Sequence, residues 1–300
     1  SGATCFLLNA RVSEKSFRRY RRLGRFARQV LSEFSGIAAI SNADAERLVA
    51  LGAAPEKVEV CGNVKYDLPP ITDPENTRRA WQRTLGLTTD TPVLVAGSTH
   101  GGEELLILEA FAALKKKMPA LVLIMAPRHL ARLATAQTEL SAAGAKYDLF
   151  SQIKVGGRCQ DIVVVDSMGD LATLYSVATF IFCGGSLVER GGHNIIEAAR
   201  WGRPVFYGPS MRDFFDAKEL LEVGGGGFTV ASPSELVEKI QRLADAPALY
   251  KKAAAGAIAS ASGQNGAIDR QLQPVFKTLQ KLANQKKFQL AANPGIALDK

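Results

Sequence analysis

The 300-residue chain has few cysteines, no long apolar run and none of the familiar nucleotide or hydrolase fingerprints. Its four cysteines, Cys5, Cys61, Cys159 and Cys183, lie far apart and form no CxxC pair. That excludes a disulfide scaffold and a zinc ribbon, and it points to a reducing compartment. No segment approaches the roughly 18 consecutive apolar residues of a membrane-crossing helix. The longest apolar stretches, around 120–126 and 177–183, have the length of buried strands. There is no GxGxxG after the strand at 92–96, no GxxxxGK[ST] and no GxSxG. Dinucleotide oxidoreductases, P-loop NTPases and serine hydrolases of the elbow type are therefore poor fits. The 13 prolines and 27 glycines are ordinary and exclude fibrous or low-complexity architectures.

What is present is a folded globular chain, 47% hydrophobic and 22% charged, long enough for one large domain or two ordinary ones. It opens at Ser1 and enters almost at once an apolar, strand-like segment at 5–8, so a preceding N-terminal portion is expected. The net charge of +8 is unevenly placed. Arg11, Lys15, Arg18, Arg19, Arg21, Arg22, Arg25 and Arg28 face a single acid, Glu14, and carry nearly all of it. In this segment Phe17, Tyr20, Leu23, Ala27, Val30, Leu31 and Phe34 recur every three or four residues, which predicts one basic amphipathic helix with Ser13 or Ser16 at its start. Such a face is either merely solvated or meets anions: membrane phospholipid, a phosphorylated lipid or nucleic acid. Nucleic acid is the weakest of these, because no base-reading motif accompanies the charge.

Strands are predicted at 37–40 and 58–60, with a capped helix over 41–52 between them. Three prolines at 67–74 read as a linker. Strands are then predicted at 92–96, 121–126, 162–165, 179–183, 204–207 and 227–230, with helices between. These are continuous apolar runs, as expected when both sheet faces are covered. The regular alternation argues an α/β fold with a doubly wound parallel sheet, followed by a helical tail from Ser232 to about Leu282.

Ligands of such sheets bind in the loops after the strands. After 92–96, Ser98 or Thr99 is a candidate N-cap whose loop amides could hold an anion. After 121–126, Pro127 fits a first helical turn and Arg128 could fork onto a phosphate or a base. After 162–165, Ser167 and Asp170 have capping-box spacing, and Gly169 permits close approach to a flat ligand. The loop after 179–183 carries two glycine pairs, Gly184 with Gly185 and Gly191 with Gly192, and opens a helix at Asn194. Ser98, Gly185, Ser186, Gly192 and His193 are thus candidates for a phosphate loop. Glu197 is either the far half of a capping box or an acceptor for two ribose hydroxyls; the four-glycine approach favours the second. All three histidines, His100, His129 and His193, fall in these loops without metal-ligand spacing, so no metal and no cofactor are expected.

Six motifs in order then resemble the 3-deoxy-D-manno-octulosonic acid (Kdo) transferases. They are NARVS at 9–13, GNVK at 62–65, STHGGEE at 98–104, PRH at 127–129, DSMGD at 166–170 and GGSLVERGGHN at 184–194, with QNGA at 264–267 beyond them. The resemblance implies a GT-B fold: the end of an N-terminal Rossmann-like acceptor domain at 1–66, a linker at 67–74, a complete donor domain at 75–284 and a tail at 285–300. It implies inverting, metal-independent transfer of Kdo from CMP-Kdo to a phosphorylated lipid A precursor, at the cytoplasmic face of the bacterial inner membrane. On that reading Pro127, Arg128, Met168, Gly169, Asp170, Asn194, Ile195, Ile196 and Glu197 contact CMP. Lys65 stabilises the departing charge. Arg18, Arg19, Arg21, Arg22 and Arg25 face the acceptor and the anionic membrane. No carboxylate within 1–65 matches the family's general-base motif, so the chain is expected to bind CMP without transferring Kdo. A non-catalytic nucleotide-binding module and a GT-B-fold UDP-sugar epimerase are the alternatives.

Overall fold

A computed structural model of the protein describes residues 3–292. The chain forms two compact units, Ser1–Leu68 with Gln264–Lys300, and Pro69–Gly263.

The first unit opens with strand β1 (Cys5–Ala10), helices α1 (Glu14–Arg21) and α2 (Arg25–Ser32), β2 (Phe34–Ala39), α3 (Asn42–Ala50) and β3 (Val58–Val60). The three strands are parallel in the order β1-β2-β3. Ala10, Val12, Leu31, Ile37, Leu48 and Leu51 form its core. Asp44 is buried; it accepts from the Val12 amide at 2.7 Å and so ties the turn after β1 to α3. The single basic helix expected over 17–34 is instead two helices. Gly24, at φ +48°, breaks the helix between them, and Phe34 already belongs to β2. Ser13 caps α1 as expected, accepting from the Ser16 amide at 3.2 Å.

The second unit starts at α4 (Pro74–Thr84) and continues through β4 (Val93–Thr99), α5 (Glu103–Lys115), β5 (Val122–Pro127), α6 (Leu133–Ala142), β6 (Asp148–Leu149), α7 (Phe150–Gly156), β7 (Ile162–Val164), α8 (Leu171–Leu174), β8 (Phe180–Cys183), α9 (Ile195–Ala199), β9 (Val205–Tyr207), α10 (Phe215–Val223), β10 (Gly227–Thr229), α11 (Pro233–Ala244) and α12 (Pro247–Ser262). Seven parallel strands run in the order β10-β9-β8-β4-β5-β7-β6. All six expected strands are present; the two-residue edge strand β6 is additional. The central strands β4, β5 and β8 are buried along their whole lengths, which is why they read as unbroken apolar runs.

After α12 the chain returns to the first unit through α13 (Ala267–Ala292). The second unit ends at Gly263, where a donor domain was expected to run to 284, and the next residues satisfy polar groups of the first unit. Buried Gln271 donates to the Gly62 carbonyl at 2.6 Å and accepts from the Asn9 amide at 2.6 Å. Asp67 accepts from the amides of Gly266 and Ile268, each at 2.8 Å. Arg270 donates to the Cys61 carbonyl at 3.0 Å. Of the expected tail at 285–300, residues up to Ala292 belong to α13, and 293–300 lie outside the described residues.

Gln271→Ala should strand the Asn9 amide and the Gly62 carbonyl and cost the first unit about 1–3 kcal/mol. A lowered urea midpoint for that unit, with the second unit unchanged, is the expected outcome.

Candidate functional site at the carboxyl ends of the central strands

In the second unit β4 lies between β5 and β8. The chain leaves β4 toward β5 but leaves β8 toward β9 on the opposite side. Loops at such a reversal point spread apart and open a crevice. Two loops meet there: residues 100–102 after β4 and 184–194 after β8.

Glu103, the first residue of α5, is fully buried and joins the two loops. Its carboxylate accepts from the amides of His100 at 2.9 Å, Gly185 at 2.6 Å, Ser186 at 3.0 Å and Leu187 at 2.9 Å. The Gly185 and Ser186 amides expected to receive a phosphate are therefore turned inward onto a carboxylate of the protein itself. The Ser186 hydroxyl is also engaged, donating to the Cys183 carbonyl at 2.5 Å and accepting from the Gly208 amide at 2.8 Å. The Gly192 amide donates to the Gly185 carbonyl at 2.8 Å. Ser98 caps no helix: it lies within β4 at φ +55°, and α5 starts only at Glu103 after Gly102. Of the five phosphate-loop candidates, only His193 keeps a side chain in the crevice.

His193 and His100 stack with ring centroids 5.2 Å apart, and their Nε2 atoms lie 2.9 Å apart. His129 meets His100 edge-on at 5.6 Å. Among the described residues no three His, Cys, Asp or Glu side chains are placed to hold a metal ion. Burial, with the Arg128 guanidinium and the other two rings nearby, pushes His193 down to about 4. Burial also lowers His100, against the pull of Glu103. Both rings are neutral at pH 7, so one Nε2 donates and the other accepts.

The Asn194 side chain caps α9, accepting from the Ile196 amide at 3.2 Å. Ile195 and Ile196 are buried and anchor this short helix. One turn on, burial raises the Glu197 carboxyl above its ordinary value, while Arg200 and Arg128 pull it down. Among the described residues no hydrogen bond joins the Asn194 amide to Glu197, and Arg128 and Arg200 are the cations that act on its carboxyl. Pro127 is the last, buried residue of β5 and starts no helix, and Arg128 and His129 follow it on the surface. Arg128, His193, Asn194 and Glu197 are thus gathered at the ends of β5 and β8. Met168 is 67% exposed, Gly169 has φ +90°, and Asp170 accepts from the Ser167 hydroxyl, all in the loop after β7. Lys65 belongs to the first unit, exposed in the 3-10 turn Val64–Tyr66, whose start is capped by Asn63. Arg18, Arg19, Arg21, Arg22 and Arg25 are exposed on α1, α2 and the turn between them.

Sequence reasoning missed Glu103 and Glu104. Glu104 is fully buried, accepting from the Thr99 hydroxyl at 3.2 Å with Arg132 at 3.5 Å. Its other carboxylate oxygen has no partner. The one available signal was two acids after a glycine pair, which a helix dipole already explains. Tyr175 and Cys183 were also missed. Both are buried beneath the site, and burial pushes the Cys183 thiol up to about 12, so it stays protonated.

Glu103→Gln keeps the volume but turns an N–H toward at least one of the four amides. We expect a loss of about 3 kcal/mol in denaturant unfolding and faster amide exchange at 185–187. In an NMR titration His193 should titrate near 4 instead of about 6.5. An unfolded chain then binds a proton between about pH 6.5 and 4 that the native fold does not. The corresponding stability is present above that window and is lost as pH falls through it. His193→Gln should flatten the loss.

The family profile described as 3-deoxy-D-manno-octulosonic-acid transferase matches residues 1–68. The Aquifex aeolicus 3-deoxy-D-manno-octulosonic acid transferase is 34% identical over 221 residues, 73% of this chain and 57% of that protein. The Haemophilus influenzae enzyme of the same name is 31% identical over 237 residues, 78% of this chain and 54% of that protein. The chain thus spans about half the length of the curated relatives it matches. Among solved structures, the C-terminal CMP-Kdo binding domain of WaaA from Acinetobacter baumannii superposes with a TM-score of 0.56 at 24% identity, covering 62% of this chain and 96% of that domain. The likeness carried by short motifs therefore extends over most of the chain, and the protein is a relative of the Kdo transferases with the GT-B type of α/β fold.

Proposed function

We propose that the second unit binds CMP-Kdo and that the chain serves Kdo transfer to a phosphorylated lipid A precursor in lipopolysaccharide biosynthesis. The observation carrying this reading is the gathering of Arg128, the capped start of α9 and Glu197 around the ends of β5 and β8. Breaking the bond between the sugar and the phosphate oxygen leaves CMP with one more negative charge. Arg128 and the α9 backbone supply positive potential for a single phosphate, so the proposed transfer needs no bound metal. Glu197, once ionised, accepts from the ribose hydroxyls. Gly169 lets the cytosine ring lie against backbone, with Met168 and Asp170 beside it. Lys65 is assigned to the departing charge.

The basic surface of α1 and α2 is assigned to the acceptor and to the anionic cytoplasmic face of the inner membrane. Tyr20, Leu23, Phe26 and Val30 stand exposed among the arginines, and Phe26 is 63% exposed. A surface that is both cationic and apolar suits a lipid carrying phosphates. Among the described residues no helix is long and apolar enough to cross a membrane.

Calorimetric titration with CMP tests the donor site. Arg128→Ala should weaken binding at least ~10-fold, or about 1.4 kcal/mol. Glu197→Ala should weaken it with the melting temperature within a few degrees of wild type. CMP binding by the wild-type chain should be measurable while Kdo transfer is not. Unchanged titrations would sink the site assignment, and a preference for UDP would favour the epimerase reading.

A further inference from the structure

We propose that the second unit carries a binding site for a small carboxylate at the amino ends of β8 and β9, built by Arg78, Arg203 and Ser176. It lies at the opposite end of the larger sheet from the crevice. Arg78 belongs to α4, and Arg203 to the turn between α9 and β9. Ser176 is in the 3-10 turn Tyr175–Val177 that leads into β8, and α4 packs against that turn. β8 and β9 are parallel neighbours, so the turns before them emerge at the same end of the sheet. The Trp201 indole ties the two approaches together, donating to the Ala172 carbonyl at 2.7 Å.

Three buried donor atoms there have no hydrogen-bond partner among the described residues: Nε of Arg78, Nε of Arg203 and the hydroxyl of Ser176. Ser176 is 2% exposed, and both arginines are half-buried. Buried polar groups in folded proteins are nearly always paired, so three orphan donors on adjoining turns call for an acceptor. Nearby protein oxygens are already engaged. The Gly202 carbonyl accepts from Nη1 of Arg203 at 3.2 Å, and the Thr179 carbonyl accepts from the Tyr250 hydroxyl at 2.9 Å. The Thr179 hydroxyl accepts from the Val93 amide at 3.0 Å.

Charge selects the ligand. Arg78 and Arg203 lie close enough to act on one another: burial and the Arg78 charge lower Arg203 from its ordinary value, and both arginines act on the Tyr250 hydroxyl. Neither arginine is in an ion pair among the described residues. Glu75, exposed on the same helix as Arg78, pulls on Arg203 from a distance. Two guanidiniums against one carboxylate leave a single positive charge. A monoanion neutralises it, and a phosphate dianion overshoots it. A carboxylate also has the right shape, because its two coplanar oxygens can each face one guanidinium and still accept from a hydroxyl. Occupancy would tie α4 to the turns before β8 and β9, so binding stabilises the second unit against unfolding.

This site is independent of the CMP reading. The test uses the whole 300-residue chain. Acetate replaces chloride at constant ionic strength, while NMR follows the arginine Nε–H signals and a parallel series follows the melting temperature. The Arg78 and Arg203 signals are identified by their loss in Arg78→Met and Arg203→Met. Both should shift saturably along one curve, with the melting temperature rising in step. Arg203→Met should weaken acetate binding at least ~10-fold. Ser176→Ala removes only an unpaired hydroxyl, so the fold is kept, and binding should weaken several-fold. Arg79→Met, an exposed neighbour on α4, and Arg128→Ala at the crevice should leave the response intact. A response that survives Arg203→Met, or is lost in Arg128→Ala, puts acetate elsewhere and overturns the proposal. So does the absence of any saturable shift, which leaves the three donors to water.

Discussion

The buried carboxylate of Glu103 is the constraint on which the second unit depends. It receives four backbone amides from two loops that leave neighbouring strands in opposite directions. A charge in the protein interior is tolerated only when its lone pairs are filled. Here the filling groups are the loops themselves, so satisfying the charge fixes their shapes. A glycine-rich turn that elsewhere would wrap a phosphate here wraps a side chain. At the far end of the loop Asn194 caps α9, and Arg128 follows the last residue of β5. The stacked, neutral pair of His100 and His193 lies between these two places and adds no positive charge at pH 7.

Much of this was legible in the residues. The strands β4, β5, β7, β8 and β9 of the larger sheet declared themselves because they are buried along their lengths and read as unbroken apolar runs. The start of α9 was legible because a cap is a local device, asparagine followed by its own helix. The position of the three histidines was legible as a strand-end cluster, though not which two would pair. The inward turn of the glycine loop was not legible, since its acceptor lies 82 residues upstream of Gly185 and looks like an ordinary first-turn acid. Nor was the break at Gly24. The apolar spacing from Phe17 to Leu31 fits one helix as well as two, and periodicity does not register a break at a single glycine. The two-residue strand β6 is too short to carry any pattern.

Charge is handled oppositely in the two units. In the second, several ionisable groups beneath the crevice are held neutral or filled: His100 and His193 by burial, Cys183 by burial, Glu103 by amides. Arg128 is left as the prominent cation at the crevice. In the first, the arginines of α1 and α2 stand largely in water, where solvation and not pairing keeps them apart.

The return of α13 to the first unit has a temporal consequence. Asn9 and Gly62 find their partners on Gln271, more than two hundred positions later in the chain. During vectorial synthesis the larger sheet has all its strands by Thr229 and can consolidate while the three-stranded sheet still waits for α13 to emerge. A segment made earlier than the larger sheet is thus completed after it. Until the ribosome has delivered Gln271, the Asn9 amide and the Gly62 carbonyl are without their native partner.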